Sequence, residues 1–168
     1  LLSFDRSEFF RLSTGNFDIG AYNRPYFSAR SSVGSNWSAY GTAGTLATGS
    51  WVHISVSRKA SIRQYKIYLN GQLDLSEIKG SGLGIGSERT RYGFIGKGSE
   101  AEKFDGLRNG GHGTFHGLID DLRLYHRTLS DAEVASLYSS ATTDGDADGL
   151  SDLEESHLGT FANLADSD

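Results

Sequence analysis

Two consecutive stretches, W-V-H-I-S-V-S-R at residues 51–58 and R-Q-Y-K-I-Y-L-N-G-Q-L-D-L at residues 63–75, constrain the fold of this chain most. In the first, Val52, Ile54 and Val56 alternate with His53, Ser55 and Ser57, the period-two pattern of a half-buried antiparallel strand. A strand that alternates so cleanly is expected to be central in its sheet. In the second, Asn70-Gly71 separates two strand-like runs. Both residues tolerate the positive backbone angles of a type I′ turn, so the runs are expected to pair as a hairpin.

Composition extends this bias to the whole chain. One proline, 22 glycines, eight tyrosines and nine phenylalanines in 168 residues suit short strands joined by glycine-rich turns better than a helical bundle. A hydrophobic content of 37% can fill one core of ordinary size. The bias is therefore toward an all-β fold.

There is no cysteine, which excludes disulfides, thiolate nucleophiles and thiolate zinc ligands. The net charge of -5 comes largely from the C-terminal tract, and nothing resembles a basic footprint for nucleic acid. No apolar run approaches the roughly 20 residues that cross a bilayer, and no signal peptide is visible at Leu1. The lack of any methionine points to a processed chain or a piece of a longer one.

That C-terminal tract carries the clearest chemistry. Residues 144–155 read D-G-D-A-D-G-L-S-D-L-E-E. Calcium takes six to eight oxygens, and a twelve-residue loop supplies them from its first, third, fifth, seventh, ninth and twelfth positions, with glycine sixth. Those positions hold Asp144, Asp146, Asp148, Leu150 through its carbonyl, Asp152 and Glu155, with Gly149 at the turn. Carboxylates so close repel one another without a cation, so calcium binding and local folding are expected to be coupled. An acidic, solvated linker is the plain alternative, but it does not require a match at every position.

Elsewhere, Phe9 to Arg30 reads as three brief strands, and Ser31 to Ser50 as a long loop or a weak edge strand. Arg91 to Lys97 reads as a strand, and Gly98 to Thr114 as a long surface loop. F-H-G-L-I-D-D-L-R-L-Y, residues 115–125, alternates as a long, bulged strand. One short helix follows: Ser130 caps it, Glu133 completes a capping box, and Val134, Leu137 and Tyr138 form its apolar face. Ser139 to Thr143 is a polar hinge into the acidic loop.

Residues 115–138, F-H-G-L-I-D-D-L-R-L-Y-H-R-T-L-S-D-A-E-V-A-S-L-Y, closely resemble the closing strand and helix of laminin-G-like domains in the concanavalin A-like lectin and glucanase group. W-V-H-I-S-V-S-R, Y-L-N-G and F-I-G-K fall in the order that family shows. The resemblance implies a two-sheet antiparallel jelly roll over residues 1–141. Family members also carry strands upstream of the region that L-L-S-F-D-R-S-E-F-F-R-L resembles, one of them pairing near the closing strand. These have no counterpart here, so the sandwich is expected either to use fewer strands or to be completed by another chain.

Residues 142–168 resemble a partial thrombospondin type 3 calcium repeat of bacterial surface and secreted proteins. Asp166 and Asp168 restart the aspartate pattern. Thr160, Phe161 and Ala162 replace the Thr-Asp-Pro usual between loops, which argues against a second, shared calcium. Dockerin modules share the loop but need two full copies.

Catalysis of the glucanase type needs carboxylates about 5 Å apart on one strand face for retention. Glu100, Glu102 and Asp105 lack the E-x-D-x-E spacing, and the adjacent Asp120 and Asp121 point to opposite faces of a strand, so no enzyme is expected. His112 and His116 are strand-edge and loop residues rather than metal ligands. The glycines of residues 80–87 form turns rather than a phosphate loop. Sugar-binding sandwiches use exposed rings, for which Trp37, Tyr40 and Tyr92 are the candidates, with core packing as the competing role.

The expected function is a noncatalytic extracellular or cell-surface module that binds a polysaccharide or a surface protein through the jelly roll and is stiffened by calcium. The alternatives are a structural subunit joined through sheet edges and an accessory domain of a glycoside hydrolase. Neither nucleic-acid binding nor membrane insertion is expected.

Overall fold

The computed structural model describes residues 1–4, 10–16, 21–30, 36–42, 46–79, 85–86, 92–98 and 113–164. They form two antiparallel sheets and two short helices. The first sheet contains β1 (Leu2–Ser3), β2 (Phe10–Asn16), β3 (Ala21–Arg30), β4 (Asn36–Tyr40) and β8 (Phe94–Ile95), in the order β4-β3-β2-β1-β8. The second contains β5 (Ile54–Lys59), β6 (Gln64–Leu69) and β7 (Gln72–Ile78), in the order β5-β6-β7. Helix α1 spans Asp131–Ser140 and α2 spans Asp152–Leu158.

The hairpin forms as its turn chemistry dictates. Leu69 pairs with Gln72, and Asn70 and Gly71 have φ of 48° and 73°, the left-handed pair that a type I′ turn requires. Tyr138 packs against the turn so closely that a Cβ on Gly71 would lie 3.0 Å from the tyrosine's own Cβ. Strand β3 carries Pro25, although it lies between β2 and β4. The ladder breaks there: pairing with β2 shifts between Ser13 and Gly15, opposite Tyr26 and Tyr22, so the missing N–H falls at an irregularity.

The core lies between the sheets. Phe27, Ala29, Trp37 and Ala39 from the first sheet meet Tyr65 and Ile67 from the second, with Phe10, Leu12, Val56 and Leu75 at the margin. Because β6 alternates, Tyr65 and Ile67 face this core while Lys66 and Tyr68 face the other way. There Tyr68 packs with Leu129, Val134 and Leu137, and α1 becomes a third layer. Two polar ties hold the sheets in register. Thr42 gives its backbone N–H and hydroxyl to the Asp74 carboxylate, at 2.8 and 2.9 Å, and Lys79 donates to the Ser38 carbonyl at 3.1 Å.

Several expectations need correction. Among the described residues strand β5 lies at an edge, and β6 is the central strand, with its hairpin partner β7 on one side and β5 on the other. Among the described residues of 10–30, two longer strands stand where three brief ones are expected. Residues 31–50 include β4, so the edge-strand reading holds there. The expected strand over residues 91–97 shortens to β8, with one bridge from Lys97 to Thr114.

The alternating run 115–125 is not a strand. Among the described residues its only ladder-like backbone contact is Phe115 N–H to the Gly96 carbonyl at 2.8 Å, and Asp121 has φ of 48°. The sequence pattern supplies two faces, but a strand also needs a backbone partner. A second helix, α2, was also not expected. Among the described residues no helix is long and apolar enough to cross a membrane.

Candidate metal centre

The acidic loop is built on the end of α1. The capping box expected at its start is present: the Ser130 hydroxyl accepts from the Glu133 N–H, and Glu133 accepts from the Ser130 N–H at 2.8 Å. Asp131 accepts from both Lys66 and Tyr68, which docks the first turn onto β6. Arg127 and the Ser130 cap hold the Glu133 carboxyl at a pKa of about 2. At the other end, the Thr142 and Thr143 hydroxyls bond to the Tyr138 and Ser139 carbonyls, which closes the helix immediately before Asp144.

The loop then folds back on itself. Asp144 accepts from the Ala147 and Gly149 N–H groups, and Asp148 accepts from the Leu150 N–H. Gly149 has φ of 99°, a conformation that disfavours any side chain, so the sixth position needs its glycine. The loop base is tied twice by one residue: the Asp152 N–H donates to the Thr143 carbonyl, and the Asp152 carboxylate accepts from the Gly145 N–H, each at 2.8 Å.

Carboxylate oxygens of Asp144, Asp146 and Asp148 lie within 4.8 Å of one another. Both buried oxygens of Asp146 lack a hydrogen-bond partner. Helix α2 adds the fourth acid. Ser151 and Glu154 form a second capping box that starts the helix at Asp152, which places Glu155 in its first turn with only 1% of its surface exposed. One Glu155 oxygen is buried and has no hydrogen-bond partner. Burial first, then the negative charges of Asp146, Asp148, Asp152 and Asp144, raise its pKa.

Carboxylate oxygens of Asp144, Asp146 and Asp148, the Asp146 pair without partners, form an all-oxygen cluster that fits a hard divalent cation such as calcium, and the orphaned Glu155 oxygen lies near enough to feel their charge. The Leu150 carbonyl makes no backbone hydrogen bond among the described residues and is left for the seventh position. Asp152 serves as a loop tie through one oxygen, with its second oxygen as the candidate ligand. Sequence reasoning missed the capping box of α2, although Ser151-x-x-Glu154 is the same signal that located α1.

The ring candidates fare differently. Trp37 is a core residue, 7% exposed, with its ring centroid 3.5 Å from that of Tyr65, so its expected role as a sugar platform is withdrawn. Tyr40 is half-buried, with its ring 4.7 Å from that of Tyr26, and Tyr92 is half-buried ahead of β8. Glu100, Glu102, Asp105 and His112 lie outside the described residues, as do Asp166 and Asp168. Asp120, Asp121 and His116 are exposed.

The sequence profile of the Laminin_G_3 family, described as the concanavalin A-like lectin/glucanases superfamily, matches residues 4–135. Among curated proteins none matches the chain. A solved structure similar to this chain is an S-layer domain-containing protein from Clostridium thermocellum. It is 22% identical with a TM-score of 0.41, and the similarity covers 83% of this chain and 61% of that one. The antiparallel two-sheet architecture and the profile match over most of the chain agree: this chain belongs to the laminin-G-like family of the concanavalin A-like lectin/glucanases superfamily.

Proposed function

We propose that this chain is a noncatalytic binding or adhesion module that works outside the cell, and that its C-terminal loop is a calcium site serving structure rather than chemistry. The observation that carries this reading is Glu155. A carboxylate that is almost fully buried, holds an unpartnered oxygen and sits among four aspartates is destabilising by itself. A cation at the loop centre would give that oxygen a partner and add attractions that outweigh the repulsion among the carboxylates.

In this reading calcium orders the loop between α1 and α2 and turns the C-terminal tract into a stiff spacer. Loops of this kind in extracellular modules work at about 10⁻⁴–10⁻³ M calcium, and sites of that affinity fill outside cells rather than within them. The jelly roll carries the ligand site, for a polysaccharide or a surface protein. With Trp37 in the core, exposed polar loops rather than that ring would make the contact.

Screening immobilised glycans and surface proteins against the chain, in calcium and in chelator, tests the proposal. Saturable binding without hydrolysis of the bound glycan agrees with it. Turnover of a glycan by the purified chain would overturn the noncatalytic reading, and a ligand panel with no binder would overturn the binding role.

A further inference from the structure

Three buried side-chain atoms that lack hydrogen-bond partners, Arg11 Nε, Ser28 Oγ and Arg30 Nε, share one surface. Strand pairing puts them there. Arg11 stands opposite Ser28, and Ser13 opposite Tyr26, across β2 and β3; Ser28 stands opposite Ser38, and Tyr26 opposite Tyr40, across β3 and β4. Residues paired across strands share a face, as do residues two apart along one strand. Phe27, Ala29, Trp37 and Ala39 take the inner face, so Arg11, Tyr26, Ser28 and Arg30 take the outer face of the first sheet.

That face is polar yet shielded. Arg11 is 8% exposed, and Tyr26 and Ser28 are 6% exposed. The Arg11 guanidinium lies 5.0 Å from the centre of the Tyr26 ring, which is 4.7 Å from the Tyr40 ring. A ring face offsets part of the burial of a cation but supplies no opposite charge. Arginine stays charged at every physiological pH, and a buried guanidinium without a counter-charge is unfavourable. Strands β2, β3 and β4 contain no Asp or Glu, and among the described residues no carboxylate pairs with Arg11 or Arg30.

We propose that this face binds an acidic carbohydrate, with a sugar carboxylate held by the Arg11 guanidinium. The proposal rests on the extracellular binding role and gives it a ligand class, a polysaccharide containing uronic acid residues. A guanidinium meets a carboxylate with two parallel N–H bonds, which satisfies the charge and the orphaned donor together. Arg30 is the diagonal neighbour of Arg11, at about 7–8 Å on a sheet face, so a second cation stands beside the first. Between them, the unpartnered Ser28 hydroxyl can bond a sugar hydroxyl. An acidic peptide would also satisfy the arginines, but a peptide laid on a sheet face rather than along an edge leaves its own backbone groups unpaired.

Calorimetric titration of the full 168-residue chain tests the proposal with three probes: oligoglucuronate, the same oligosaccharide with its carboxyls reduced to alcohols, and oligoglutamate. Saturable binding of oligoglucuronate is expected, weakened at least about 10-fold by carboxyl reduction and by R11Q, and several-fold by R30Q. K59Q, which removes an exposed cation from the other sheet, should bind as the unaltered chain does. Circular dichroism checks that each variant folds, and R30Q decides the matter if R11Q does not. No binding of oligoglucuronate, equal binding of the reduced sugar, or full affinity in both arginine variants would overturn the proposal. Binding of oligoglutamate alone would overturn the carbohydrate assignment. A neutral glycan bound independently of Arg11 would remove this site while leaving the binding role of the domain intact.

Discussion

At the scale of single residues, environment decides what a side chain can do. Trp37 and Glu155 both moved away from what their residue types suggest. A tryptophan in a Ser/Gly-rich stretch reads equally well as a sugar platform or as core. Only the pairing of Trp37 with Ala29 across the β3–β4 ladder turns its ring inward onto Tyr65. Trp37→Ala should therefore cost about 3–5 kcal/mol of stability, measured by denaturant unfolding, as for other buried aromatic truncations. A change within a few tenths of a kcal/mol would mean that the ring is not part of the core.

Glu155 carries a pH prediction. Its pKa is raised in the fold, so without calcium its contribution to stability is greatest below its unfolded value and is lost as pH rises through the raised one. Calcium needs the ionised form, so its affinity should fall when the pH is lowered from about 7 to about 5. Equal affinity at both would contradict that role for Glu155.

At the scale of elements, legibility followed how local the determinants were. The hairpin at Asn70-Gly71 and the helix start at Ser130 were readable because a few adjacent residues set them. The edge position of β5 and the missing strand at residues 115–125 were not, because alternation specifies faces and says nothing of neighbours. The acidic loop was readable from its spacing. The burial of Glu155 was not, because it depends on α2 turning that residue inward.

Helix α1 links the sandwich to the loop and should respond to both mutation and acid. Ser130→Ala removes a cap and should cost about 1 kcal/mol in an unfolding experiment, while an unchanged midpoint would mean that the capping box contributes nothing. The Glu133 pKa is depressed to about 2, first by Arg127 and then by the Ser130 cap. The sign is opposite to that of Glu155: the stabilisation is present above the unfolded carboxyl pKa and is lost as pH falls toward 2. Asp131, lowered chiefly by Lys66, works in the same direction. Acid should therefore undock α1, and the E133Q variant should show a weaker acid dependence.

At the scale of the whole molecule, the three layers and the loop form one mechanical chain. Val134 and Leu137 fix α1 on Tyr68, the threonines close its end, and Asp152 ties the loop to Thr143. Whatever orders the loop therefore holds α1 in place, and α1 covers the outer face of β6. Calcium at 100 times its Kd should add about 2.7 kcal/mol to the folded state, and the melting of the sandwich itself should rise with it. A rise confined to the C-terminal tract would show that loop and sandwich unfold independently.

The most direct test of the central claim is a calcium titration of the chain by calorimetry, run beside Asp148→Ala. The account predicts saturable binding to the unaltered chain and a loss of at least about 10-fold in affinity in the variant, the least that metal sites lose when even an outer-shell partner is removed. No heat of binding, or equal binding by both proteins, would contradict it.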